Sequence, residues 1–315
     1  MRSGTVAVIG KANAGKSTLI NVLVGEKVAI VSPKPQTTRD RILGILTKKD
    51  YQIVFEDTPG FYKSKTELSK KMQRTAKRTI TDVDLVLFVL DIHEGIKEED
   101  LDILKSVLKN DIKIIVVLSK IDIMPKDDIP KALVKIAELD NIAEIIPVSA
   151  RKNRNIKELE NLIVSYLPEQ DFIFSEDIVS DKSEKFMLAE IMREKILIKF
   201  DKEVPHGIAV VVNEFYKKPS GTYEVNLDII CEKQNHKSIL IGKQGAAIKE
   251  VSSYARESME KFLGAKVFLT TYVKVKEDWR DKENLLSEYG YGDVDNNLWE
   301  WDERKILAQD FQNVN

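Results

Sequence analysis

Short apolar runs alternate with amphipathic stretches through the first half of the chain. The runs are TVAVIG from Thr5, YQIVFED from Tyr51, LVLFVLD from Leu85, IKIIVVLSK from Ile112 and AEIIPVSA from Ala143. Each is rich in β-branched residues and reads as a buried strand. Residues 98–109 and 128–139 between them carry the spacing of amphipathic helices. This rhythm predicts a doubly wound, mostly parallel sheet over 1–167, with helices on both faces. Residues 168–185, PEQDFIFSEDIVSDKSEK, open on proline and are acidic and irregular, so they read as a linker. Beyond it the rhythm changes. A helix is predicted from about Ser183 to Phe200, then a strand in GIAVVVNEFYKK from Gly207. TYEVNLDIICEK alternates strictly, with Tyr223, Val225, Leu227, Ile229 and Cys231 on one face. A short helix, the turn IGKQG, a longer helix at about 246–262 and the strand KVFLTTYVKVK follow. The order αββααβ predicts a separate α+β unit over 186–280. Residues 281–315 read as an acidic, solvated and partly ordered extension, with a regulatory contact as the alternative.

Composition narrows this picture. A chain of 315 residues, 43% hydrophobic and 32% charged, has material for two units that each bury a core. A formal net charge of −2 gives no global signal for nucleic acid or membrane, so any basic site must be local. The one cysteine excludes an internal disulfide framework, and the alternation puts Cys231 in a core. No apolar run is long enough to span a bilayer. The N-terminus enters a strand pattern at once, leaving no room for a signal peptide, and the expected location is the cytoplasm.

The segment GKANAGKST, Gly10–Thr18, follows the first strand and opens a helix. It fits G-x-x-x-x-G-K-[ST], the phosphate loop. Gly10 and Gly15 let the backbone N–H groups around Asn13, Ala14 and Thr18 turn toward phosphate oxygens. Lys16 supplies a point charge, Ser17 a hydroxyl for Mg²⁺, and the helix its positive end. Asp57, in EDTPGF at the end of the second run, can hold the metal through water, and Gly60 offers its N–H to a γ-phosphate.

The base is read at later strand ends. In LSKID, Asp122 can accept from both N1–H and the 2-amino group of guanine, a pair adenine does not present. Lys120 can lay its stem along the base. In VSAR, the segment Ser149-Ala150-Arg151 brings the Ala150 N–H toward guanine O6. The order of these motifs favours GTP over ATP and disfavours a P-loop kinase.

With these motifs in place, the first 167 residues resemble a translation-factor-type GTPase domain. The whole of about 1–280 is similar to the Era family, in which that domain carries a C-terminal type II KH domain. The features are PQTTRDRI at 35–42 as switch I, DTPGF opening switch II, ILIGKQGAAIKEV at 239–251 and VFLTTYVKVKEDW at 267–279. The resemblance makes Thr38 the expected Mg²⁺ and γ-phosphate ligand, with Thr37 second. Lys16, Thr38, Asp57 and Gly60 become the expected catalytic set. Asn13 matches an asparagine that binds K⁺ in related GTPases. Three departures stand out. Ser119 replaces the asparagine of the base motif, Ala12 stands where proline is usual, and the tail exceeds the family length.

Gly242-Lys243-Gln244-Gly245 is a cationic turn between helices, close enough to bare backbone for a sugar-phosphate chain to approach. With Ile241, Lys237 and Lys249 it is the candidate RNA site. The residues alone imply single-stranded RNA. The resemblance specifies the 3′ end of 16S-type rRNA, a role in 30S subunit assembly, a monomer, and a peripheral contact at the inner membrane face.

Phe61 stands where Ras-like enzymes place a water-orienting glutamine, so intrinsic hydrolysis is expected to be slow. The basic stretch KKMQRTAKR, 70–78, reads as a solvated helical face with RNA contact as its alternative. His93, His206 and His236 have no metal or triad spacing and receive no role. Two functions remain open at this point: a GTP-hydrolysing switch on rRNA, or an RNA-binding scaffold that binds GTP and hydrolyses it little.

Overall fold

The structure is a computed structural model and describes residues 1–60, 66–78, 82–93, 95–125, 127–202 and 204–291. Phe61 and the tail 292–315, including NNLWEWDE at 296–303, lie outside the described residues, as do the side chains of 75–78.

The first unit is a six-stranded sheet in the order β2-β3-β1-β4-β5-β6. Its strands are β1 (Arg2–Ile9), β2 (Ile42–Thr47), β3 (Tyr51–Asp57), β4 (Leu85–Asp91), β5 (Ile114–Ser119) and β6 (Glu144–Pro147). All neighbours are parallel except β2 and β3. The helices are α1 (Lys16–Val24), α2 (Glu67–Arg78), α3 (Glu98–Val107), α4 (Asp128–Ala137) and α5 (Ile156–Tyr166). Strand β1 is central: Val6, Ala7, Val8 and Ile9 are fully buried. Val6 and Val8 face the core under α1 and α5, while Ala7 and Ile9 face that under α3 and α4. Two covered faces account for the unbroken apolar runs. The chain reverses winding direction around β1, which opens a crevice at the carboxyl ends of β1, β3, β4 and β5.

Strand β2 is the element that the sequence reading lacks. Its run ILGILT is interrupted by Gly44, which weakens the strand pattern. A Cβ at Gly44 would lie 2.8 Å from Ile20 Cγ2 and 3.1 Å from Val28 Cγ2. The glycine is therefore a packing requirement that lets α1 lie close on β2.

The second unit runs α6 (Glu184–Lys199), β7 (Ile208–Lys217), β8 (Tyr223–Cys231), α7 (Gln234–Ile241), α8 (Ala246–Leu263) and β9 (Val267–Val275). Its sheet order is β7-β8-β9, with β7 antiparallel and β9 parallel to β8. Val225, Leu227, Ile229 and Cys231 enter one core with Ile191 and Ile196 of α6 and Val251 and Ala255 of α8. Cys231 is fully buried, and burial pushes its thiol above the usual range.

Two segments are more ordered than their composition suggests. The stretch 168–183 lies along β2: Ile45 N–H donates to Val179 O at 2.9 Å and Leu43 N–H to Asp181 Oδ1 at 2.8 Å. Ile173, Phe174 and Ile178 pack on Leu43, Ile45 and Val54. The start of the expected extension also folds back. Trp279, Leu286 and Tyr289 are buried against Ala209 and Ile230 of the second sheet, together with Leu68 and Met72 of α2. The Trp279 indole donates to Gly207 O at 3.0 Å. Up to Tyr291 this stretch is thus a seam between the units, in which Trp279 packs on both Tyr289 and Tyr291. Among the described residues no helix is long and apolar enough to cross a membrane.

Candidate functional site

The loop from Gly10 to Gly15 needs three positive φ angles, at Gly10 (150°), Asn13 (65°) and Gly15 (98°). A Cβ at Gly10 would fall 2.3 Å from Val89 O, so only glycine lets the loop turn over β4. Helix α1 starts at Lys16 with no side-chain cap on its first N–H groups. A cleft of about 700 Å³ opens above them, lined among others by Asn13, Lys16, Thr38, Gly60, Lys120 and Arg151.

Lys16 is buried, and its ammonium donates to Gly10 O at 3.1 Å and Lys11 O at 2.8 Å. Burial pushes its pKa down to about 8, against the pull of Asp57. Asp57 Oδ2 accepts from Ser17 Oγ at 2.6 Å and Thr38 Oγ1 at 3.2 Å, and the two hydroxyls are 3.0 Å apart. Burial raises the Asp57 pKa, and the Ser17 bond, the Lys16 charge and the Thr38 bond pull it back. Its other oxygen, Oδ1, is buried with no partner. Thr37 is turned elsewhere: its hydroxyl donates to Lys34 O at 2.6 Å and lies 2.7 Å from Ser32 Oγ. Gly60 lies against the phosphate loop, where a Cβ would stand 2.6 Å from Ala12 N. Asn13 donates Nδ2 to Pro33 O at 2.5 Å, joining the loop to the segment that leads into switch I.

At the base end, Ser119 Oγ donates to Ala14 O at 2.7 Å and lies 3.2 Å from Leu90 O. Ser149 Oγ donates to Asp122 Oδ1 at 2.6 Å and itself accepts Lys152 N–H at 3.0 Å. The carboxylate is thereby oriented by the neighbouring motif. Lys120 bonds Asp91 Oδ2 at 2.5 Å, and His93 Nδ1 lies 2.7 Å from Asp91 Oδ1. Burial opposes ionisation of Asp91, but the bonds from Lys120 and His93 outweigh it and hold its carboxyl below the usual range. Asp91 and His93 line the cleft, and the sequence reading assigned neither. Their signal was position alone: Asp91 ends a strand at the same carboxyl edge as Asp57 and Ser119.

The glycine-rich turn of the second unit lies apart from this cleft. Helix α7 stops at Ile241, and Gly242, Gln244 and Gly245 take φ of 72°, 52° and 78°. A Cβ at Gly242 would come 2.6 Å from Ala247 Cβ, whereas Gly245 faces open space. Lys243, Gln244 and Lys249 are exposed and Lys237 half-buried, and Ile239 is 49% exposed. The turn thus offers bare backbone, cations and an apolar surface together.

Residues 5–120 match the family described as 50S ribosome-binding GTPase, and residues 203–280 match the KH domain. The chain is 46% identical over 291 residues to GTPase Era of Clostridium kluyveri, covering 92% of this chain and 99% of the relative. It is 45% identical over 290 residues to GTPase Era of Clostridium botulinum, covering 92% and 98%. Two solved structures superpose with TM-scores of 0.88 at 38% identity and cover 93% of this chain. One is a Tyr-to-Ala variant of Aquifex aeolicus Era bound to GDP·AlF4⁻, covered in full. The other is Era with MgGDPNP and nucleotides 1506–1542 of 16S ribosomal RNA, covered to 99%.

Proposed function

The chain belongs to the Era family of GTPases, and on that premise we propose that its nucleotide state governs its hold on the 3′ end of 16S-type rRNA during 30S subunit assembly. It is a GTP-hydrolysing enzyme. The observation that carries the reading is the meeting of Ser17, Thr38 and Asp57 beside the phosphate loop. Only a segment that reaches over from switch I brings Thr38 there, so the site is complete only when that segment is in place.

These residues fit Mg²⁺. Two hydroxyls converge on a buried carboxylate whose second oxygen is unpartnered, a donor set of hard oxygens. Ser17 and Thr38 would hold the ion directly and Asp57 through water. Bound there, it neutralises charge on the β- and γ-phosphates. Lys16 exchanges its loop carbonyls for phosphate oxygens, and the uncapped N–H groups of α1 point at them. Gly60 presents its N–H at the γ-phosphate. Asp122, oriented by Ser149, reads guanine, and Lys120 covers the ring.

The KH unit takes single-stranded RNA along the Gly242–Gly245 turn, with Lys237, Lys243 and Lys249 on the phosphates and Ile241 beside the bases. The related Era structure that holds both MgGDPNP and rRNA supports a joint role for the two sites. The protein acts as a monomer in the cytoplasm in this reading. Single-turnover GTP hydrolysis, measured with and without a single-stranded RNA of the 16S 3′ sequence, is the test. A change in rate with RNA is expected. A rate indifferent to RNA would reduce the protein to two independent binding units.

A further inference from the structure

Thr38 is bracketed from outside its own unit. The residue before it, Thr37, has its carbonyl oxygen bonded by Arg193 Nη2 of α6, and Arg193 Nη1 reaches Gln36 O at 3.4 Å. The residue after it, Arg39, donates Nη2 to His206 O at 2.8 Å and Nη1 to Ile208 O at 2.5 Å. Its guanidinium also lies 5.9 Å from the Trp279 ring centroid and 5.7 Å from that of Tyr291. The segment leading into switch I is gripped as well. Glu194 Oε1 accepts Val31 N–H at 3.0 Å and Lys27 Nζ at 2.8 Å.

Arg193 is built for this task. Its side chain is 1% exposed. Glu190, one turn earlier, pairs bidentately with it, Oε1 accepting from Nε at 2.6 Å and Oε2 from Nη2. The buried charge is therefore compensated within α6 itself, and the remaining guanidinium edge is spent on two backbone carbonyls of switch I. One of these belongs to Gln36, which holds φ at 61°, a conformation that non-glycine residues rarely adopt. A planar fork that bonds both carbonyls of a strained turn fixes the direction in which the next residue projects.

We propose that Arg193 of the KH unit is a positioning residue for GTP hydrolysis, which acts by presenting Thr38 to the phosphate site. Arg193 does not line the phosphate cleft and acts only through the switch I backbone. The proposal rests on the reading of Thr38 as a ligand on the γ-phosphate side. It makes the KH unit part of the hydrolytic machinery, because α6 supplies a contact that the GTPase unit lacks.

The test compares Arg193→Gln, Arg193→Lys and Thr38→Ala in the full chain. Lysine keeps a cation beside Glu190 but cannot bond both carbonyls, so this variant stays informative if glutamine prevents folding. Expected for Arg193→Gln and Arg193→Lys are a roughly tenfold lower kcat and a roughly tenfold weaker grip on a non-hydrolysable GTP analogue. GDP affinity should stay within about twofold, because GDP needs only the phosphate loop and the base motifs. A merely structural role would lower GDP and analogue binding together. In the double variant Arg193→Lys with Thr38→Ala, the Arg193 effect should vanish, because both losses pass through one hydroxyl. Full activity of Thr38→Ala would overturn the reading of the site and the proposal with it. An impaired Thr38→Ala beside a fully active Arg193→Lys, or losses that multiply in the double variant, would overturn the proposal alone.

Discussion

Ser119 donates its hydroxyl to Ala14 O at 2.7 Å, tying the end of β5 to the phosphate loop. The bond explains how the base motif tolerates a serine where its family carries asparagine. Ser119 is buried and keeps the loop, and its side chain is expected to be too short for the contact near guanine N7 that asparagine would make.

Guanine selectivity is therefore expected to survive, since Asp122 retains both hydrogen bonds to the base. Replacing Ser119 by asparagine should tighten GTP by about 1 kcal/mol, one hydrogen bond. Ser119→Ala should loosen both GTP and GDP, because it leaves the Ala14 carbonyl without its donor. Asp122→Asn should move the preference toward xanthine, whose 2-oxo group accepts where guanine donates. Competition binding with ATP, GTP and XTP checks all of these. Equal affinity of the wild-type chain for ATP and GTP would refute the assignment.

Nucleotide binding should depend on pH through Lys16. Burial pushes its pKa down to about 8, against an ordinary 10.5. Phosphates hold the ammonium charged, so above pH 8 binding must take up a proton. Affinity is expected to be flat up to about pH 8 and then to fall by up to about tenfold per pH unit. The sign for folding is opposite. The unfolded lysine keeps its proton up to 10.5 while the folded one releases it near 8, so the free protein gains stability as pH rises through this window. Calorimetry at pH 9 in buffers of different ionisation enthalpy measures the proton uptake directly.

Potassium should accelerate hydrolysis relative to sodium. Asn13 lines the phosphate cleft, where its Nδ2 donates to Pro33 O. A monovalent cation taken up by the Asn13 amide oxygen would offset charge between the β- and γ-phosphates. Asn13→Ala should remove the difference between the salts while leaving GDP affinity nearly unchanged. Identical rates in KCl and NaCl would dismiss the idea.

RNA binding should be separable from GTP binding at the Gly242–Gly245 turn. Gly245 has open space around its Cβ position, so Gly245→Asp adds a charge without a collision, its cost being the backbone strain of a side chain at φ 78°. Gly242→Asp would also collide with Ala247, which makes Gly245→Asp the cleaner probe. Paired with Lys243→Glu, it should weaken a single-stranded RNA by at least about tenfold and leave GTP affinity unaltered. Fluorescence anisotropy against each ligand distinguishes the two effects. Unchanged RNA affinity would remove the turn from the RNA site.

The nucleotide site was legible because its chemistry is written in contiguous residues. Gly10–Thr18, Asp57–Gly60, Ser119–Asp122 and Ser149–Arg151 each sit at a strand end, and alternating runs locate those ends. Strand β2 escaped because Gly44 breaks its pattern for a reason visible only once α1 lies on it. Asp91 and His93 escaped because no spacing marks a carboxylate that bonds a lysine 29 residues away. The bracket around Thr38 lay furthest from view. Arg193 and Thr37 are 156 residues apart, and nothing local distinguishes that arginine from any other on a helix. The aromatic seam at Trp279–Tyr291 was masked by the acidic composition of the stretch that follows it.

The segment 168–183 has a consequence for how the GTPase unit keeps its own company. Strand β2 ends the six-stranded sheet, and its outward N–H groups at Leu43 and Ile45 are occupied by Asp181 and Val179. A fragment cut at residue 167 would bare that rim, leaving unpaired backbone beside Leu43, Ile45 and Val54. Such a rim recruits a strand from another molecule. The acidic stretch between the two units thus acts as a selvedge, a finished border that keeps the sheet from being extended by its neighbours.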